Sequence, residues 1–128
     1  MSLTVSTELL QQAQSGEVDD ADFLACVRTS LPYAWEVISG LAERVQDTGA
    51  AYEANEVPPP DEQARGQLLR ALASDAMRGA LERHFGFRIA FQNCHKVALF
   101  QPAAHDEYRA FVTPRAQLLN QSPELVDC

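Results

Sequence analysis

Phe87–Pro102 reads FRIAFQNCHKVALFQP, and the way its two apolar runs pair decides the fold. Phe87, Ile89 and Phe91 alternate with Arg88, Ala90 and Gln92, the two-residue period of a half-buried strand. Val97 and Leu99 continue the pattern beyond a polar interruption, Asn93-Cys94-His95-Lys96. If Asn93, Cys94 and His95 form a three-residue loop, Gln92 falls opposite Lys96, Phe91 opposite Val97 and Ile89 opposite Leu99. The large apolar side chains then share one face. A two-residue loop would set Phe91 against Lys96 instead. The register therefore predicts an antiparallel hairpin with Cys94 and His95 at its bend. A lone hairpin is marginal in water, so the Phe87/Ile89/Phe91 face must rest on helices. The opposite face, Arg88/Ala90/Phe100, is one that another subunit would cover.

Helical patterns lie on both sides of the hairpin. Thr4 or Ser6 caps a first short helix ending near Gly16, and Asp19 or Asp20 caps a second, ADFLACVRTSL, with Phe23, Leu24, Val27 and Leu31 on one face. Ser30 is placed to cap a third from Pro32 to Gly49, the alternative being one long helix bent at Pro32; the apolar residues keep helical spacing while Trp35 lies off the stripe. GAAYEANEVPPPD follows, and its three successive prolines favour extended chain; residues 50–60 read as the principal linker. Asp61 then caps one long helix, EQARGQLLRALASDAMRGALERHF, ending at Gly86. Its expected buried stripe is Leu68, Leu69, Leu72, Ala73, Ala76, Ala80, Leu81 and Phe85. After Pro102, AAHDEYRAF reads as a short helix, with YRAFV as an alternative third strand. Thr113-Pro114 opens RAQLLNQ, and Ser122-Pro123 marks a last turn.

The totals narrow the functional classes. With 128 residues and 46% hydrophobic content, the chain is expected to form one domain over residues 1–128. No apolar run approaches the roughly 20 residues that span a bilayer, and the N-terminus lacks the pattern of a secretory leader. The expected location is the cytoplasm. Residues 1–61 hold eleven Asp/Glu against Arg28 and Arg44, a net of −9; residues 62–128 hold eight basic against seven acidic residues, a net of +1. An acidic chain of net −8 repels a polyanion, which argues against nucleic acid and against an anionic membrane as partners.

Candidate chemistry centres on the hairpin bend. Cys94 with His95 is a thiol beside an imidazole, with Lys96 near enough in sequence to lower the thiol pKa. His84 or His105 offers an alternative base. Adjacent strand residues point to opposite faces, which works against a direct Cys94–His95 pair. His84, Cys94, His95 and His105 have zinc-binding side chains but lack the short ligand spacing of structural sites, so no metal is assigned. Three cysteines with no CxxC spacing imply reduced thiols. Arg65, Arg70, Arg78, Arg83 and Arg88 offer planar forks for an anion; Arg78 and Arg88 are the ligand-binding candidates. The competing reading pairs these arginines with the acidic N-terminal half. A Walker sequence, HExxH and GxSxG are all missing.

DDADF, RTSLPYAWEVISGL, RGQLLRALASDAMRGALERHFG, FQNCHKVALF and QLLNQSPELVDC together resemble small conserved actinobacterial proteins of uncharacterised function. That resemblance implies no activity, ligand or functional residue. The expected fold is α+β, four or five helices packed on a short antiparallel β-hairpin, with three strands as the alternative. The expected function is a non-enzymatic interaction or regulatory protein, self-associating or bound to a protein partner, with a homodimer as the simplest assembly and no cofactor. The rival is a small enzyme or anionic-ligand-binding domain using Cys94, His95 and the nearby arginines.

Overall fold

The computed structural model describes residues 2–121. Among them are α1 (Thr7–Ser15), α2 (Asp20–Ser30), α3 (Pro32–Thr48), β1 (Tyr52–Ala54), α4 (Glu62–Leu72), α5 (Asp75–Phe85), β2 (Arg88–Gln92), β3 (Lys96–Phe100), α6 (His105–Phe111) and α7 (Pro114–Leu119). The fold is α+β, with more helices than the sequence suggests. β2 and β3 pair antiparallel in the expected register, Ile89 opposite Leu99, Phe91 opposite Val97 and Gln92 opposite Lys96. Asn93 and Cys94 make the bend at φ 56° and 58°, a left-handed conformation that asparagine tolerates and cysteine rarely adopts.

The third strand comes from neither the hairpin nor YRAFV. Tyr52–Ala54, inside the stretch read as a linker, pairs antiparallel with β3, giving the order β1-β3-β2. YRAFV is helical, within α6 and just beyond it. β3 is thus the central strand, and Val97, Ala98, Leu99 and Phe100 are all fully buried. Buried on both faces, β3 needs two covers. Val97 and Leu99 join Ile38, Leu41, Leu68, Leu72 and Leu81 in the main core between the sheet and α2–α5. Ala98 and Phe100 face the other way and pack with Ala90, Ala104, Tyr108 and Phe111. Phe100 meets Tyr108 and Phe111 edge-on at 5.4 and 5.5 Å and stacks on Tyr52 at 5.1 Å, geometries that aromatic quadrupoles favour. The cover expected from another subunit is therefore supplied by the chain's own α6.

Local signals explain most helix boundaries. Ser6, Asp19, Asp61 and Thr113 each accept a hydrogen bond from a backbone N–H in the first turn, and Gly16, Gly49 and Gly86 end helices in the left-handed region. Ser30 does not cap α3. It ends α2, and its Oγ accepts from Thr4 N–H at 2.8 Å. The α3 N-terminus is served from a distance: Gln67 Oε1 on α4 accepts from Tyr33 N–H at 2.7 Å and Ala34 N–H at 3.2 Å.

The expected long helix is two. Ser74 takes an extended conformation (φ −92°, ψ 121°) and its hydroxyl accepts from Met77 N–H, starting α5 anew. A serine side chain competes with the helical backbone in this way when an acidic residue follows it in the first turn. The break changes the phase of the apolar stripe. Leu68, Leu72, Met77, Ala80 and Leu81 are buried, whereas Leu69, Ala73 and Ala76 are left exposed. The last turn expected at Ser122-Pro123 lies outside the described residues.

Candidate functional site

The hairpin bend is held from two sides by amide side chains. Asn55, just after β1, is buried; its Nδ2 donates to His95 O at 2.7 Å and its Oδ1 accepts from Val97 N–H at 2.8 Å. Lys96 Nζ donates to Asn55 O at 3.3 Å. On the other side, buried Gln92 donates through Nε2 to Phe111 O at 2.7 Å, and Asn93 Nδ2 donates to Gln117 O at 3.1 Å. Gln117 and Asn120 return side-chain bonds to Asn93 and Gln92. Buried amides demand partners because an unmet donor costs about 1–3 kcal/mol. Here they meet one another, which fastens α7 to the bend. Sequence reasoning passed over Asn55, Gln92 and Gln117; a cluster of carboxamides without charge has no spacing signature.

Within this frame, His95 is buried at 3% exposure and its Nδ1 lies 2.6 Å from Asn93 O. Cys94 is disulfide-bonded, which corrects the expectation of reduced thiols at this position. A sulfur so bonded is not a thiolate. The free cysteine among the described residues is Cys26, buried in the main fold with its Sγ 3.3 Å from Thr4 O. His84 lies elsewhere, exposed on α5, its ring 5.6 Å from Trp35 and 4.7 Å from Phe85. His105 is exposed at the start of α6. The bond and ring geometry thus puts His84 and His95 among different neighbours. Among the described residues, no group of three or more His, Cys, Asp or Glu is placed to hold a metal ion.

The arginines divide by partner. Arg83 reaches across the chain to Asp20, donating from Nε at 2.7 Å and Nη2 at 3.0 Å. The hydrogen bond from Arg83 holds the Asp20 carboxyl below its usual range, and Asp20 in turn raises Arg83. This is the pairing of halves that the charge distribution suggests. Arg44 bonds Glu53 at 2.8 Å. Arg78 spans the helix break, donating to Leu72 O at 2.9 Å and to Asp75 Oδ1 at 2.6 Å. Arg88 lies 3.6 Å above the Tyr108 ring, a cation–π contact.

Arg78 and Tyr108 both line a groove of about 370 Å³ along β2, with Ala73, Phe91 and Val112. Through Ala73 this groove meets a second, of about 490 Å³, at Gly66, Leu69 and Arg70. Through Phe91 and Val112 it meets a third, of about 410 Å³, beside Pro114 and Gln117. β2 lines the first and third of them, through Ile89, Ala90, Phe91 and Gln92. Leu69 is 46% exposed, Val112 51% and Leu118 71%. Apolar and polar side chains alternate along these grooves, with Leu69 and Val112 as their exposed large apolar members.

Among the described residues, no helix is long and apolar enough to cross a membrane. No curated protein and no solved structure matches the chain. A family match covers residues 1–128, carries the description NucS shadow ORF, and attaches no activity to any residue. The chain belongs to the NucS shadow ORF family.

Proposed function

We propose that the protein is a non-enzymatic interaction protein that associates with itself. The exposed apolar side chains Leu69, Ala73 and Val112 beside the adjoining grooves support this reading. Exposed apolar surface gathered beside one groove is a feature of contact sites. Here it follows from the helix break, which turns Leu69 and Ala73 outward, and from Val112 beyond α6. The side chains first suspected of chemistry are occupied in structure: Arg78 ties α4 to α5, Arg88 rests on Tyr108, and Cys94 is disulfide-bonded.

Size-exclusion chromatography with light scattering tests the proposal. The expected particle has about twice the 14.1 kDa chain mass, with a population that rises with concentration. A particle of single-chain mass from low micromolar to several hundred micromolar overturns it.

A further inference from the structure

A groove of about 480 Å³ lies between α3 and the proline-rich stretch after β1, and it shares no lining residue with the grooves beside β2. Tyr33, Val37, Gly40 and Arg44 fall on successive turns of one α3 face and form its floor. At about 1.5 Å per residue that floor is about 16 Å long, the reach of about five residues of extended chain. Val57, Pro58 and Pro60 make the opposite wall. Val57 is 76% exposed, and proline fixes its own φ, so this wall is apolar, open and shaped in advance.

Gly40 is the residue here that the fold itself does not require. It sits inside a helix of 17 residues, where glycine weakens the helix about fivefold relative to alanine. A Cβ built there meets no atom within 4 Å beyond its chain neighbours and its own helical backbone. An occupant lying close over the α3 backbone would use that space, and the surrounding charge gives its sign. Glu36 and Glu56 line the groove, and Asp61 follows Pro60 closely enough to act on Tyr33, whose hydroxyl is pushed up by burial and then by that carboxylate. None of the ion pairs among the described residues includes Glu36 or Asp61. The cations beside them are committed, Arg44 to Glu53 at 2.8 Å and Lys96 to Asn55 O at 3.3 Å. Glu36, Glu53, Glu56 and Asp61 against Arg44 and Lys96 leave a net of −2 around the groove.

We infer that this groove docks a short, extended basic segment of another protein, with a small or apolar side chain over Gly40 and arginine or lysine side chains at Glu36 and Glu56. This contact is separate from the self-association proposed above. Nucleic acid and an anionic lipid surface carry the wrong sign for it. The two kinds of contact divide the work: the apolar anchor between Gly40 and Val57 supplies affinity, and the exposed carboxylates steer and orient the segment. Recognition rests on side chains, because the proline wall offers no N–H and the Asn55 amide is spent on His95 O and Val57 O.

The test pans a random heptapeptide display library on the full chain. Enriched sequences are expected to carry at least two arginines or lysines and a net positive charge. The strongest is then made as a free peptide for titration calorimetry. G40L and E36K are each expected to raise its Kd at least tenfold, while L69S, beside the β2 grooves, leaves it unchanged. G40L is also expected to raise the urea midpoint, because leucine is the better helix former; a lower midpoint in the folded variant would show that the glycine serves the fold, and overturns the inference. E36K, at an exposed position, decides alone if G40L does not fold. No enrichment over the bare support, enrichment of uncharged or acidic peptides, or a Kd indifferent to either variant also overturns it. So does a change of oligomeric mass in G40L or E36K, which would put a second copy in the groove.

Discussion

The two faces of the sheet are covered by unlike means. The α2–α5 face is a broad aliphatic core drawn from four helices and both hairpin strands. The other face is one buried phenylalanine, three alanines and the half-buried rings of Tyr108 and Phe111 on a helix of seven residues. Many interlocking contacts make the first cover cooperative with the whole fold. The second depends on Phe100, whose ring is the common partner of Tyr52, Tyr108 and Phe111. The contrast teaches that burial alone does not rank a residue: Phe100 and Leu68 are equally inaccessible, yet different amounts of structure hang on each.

The largest effect that sharpens this contrast is F100A, expected to cost about 3–5 kcal/mol and to strip hydrogen-exchange protection from α6 before α3. Equal loss in both helices would show that the faces form one unit. L68A is expected to cost about 2–5 kcal/mol by chemical denaturation, with protection lost evenly among α2–α5. Next comes Q67A, which leaves the Tyr33 and Ala34 N–H groups without their cap. A loss of about 1–2 kcal/mol is expected, and a change within error would show that water replaces the amide. R88A removes the contact over Tyr108, and about 0.5–1 kcal/mol is expected from thermal melts. The smallest effect concerns the Asp20–Arg83 pair, which ties α2 to α5 at the rim of the aliphatic core. Because the folded Asp20 pKa is lowered, its contribution is present above the ordinary value of 3.8 and fades as pH falls through the lowered one. D20N should flatten that acid limb of the stability profile, and an unchanged limb would assign it to other carboxylates.

The hairpin was legible in the sequence because a side-chain period of two admits one register that keeps Ile89, Phe91, Val97 and Leu99 together. Caps at Asp19, Asp61 and Thr113 and stops at Gly49 and Gly86 were legible because each has a local mechanism. The break at Ser74 was hidden by helix-forming neighbours, although Ser74-Asp75 is itself a start signal inside a longer apolar pattern. β1 was hidden because three residues between polar and proline-rich flanks show no periodicity; its place is set by β3, more than forty residues on. The bend was foreseen, but its surroundings were not. Asn55 and the α7 amides reach it by tertiary packing, and the Trp35 ring beside His84 is brought there by helix directions that spacing cannot encode.

The two rims of the sheet also differ. β1 has only three residues, and Pro58, Pro59 and Pro60 follow soon after it; prolines offer no N–H and discourage further strands from adding there. That rim carries its own stop against a neighbouring strand.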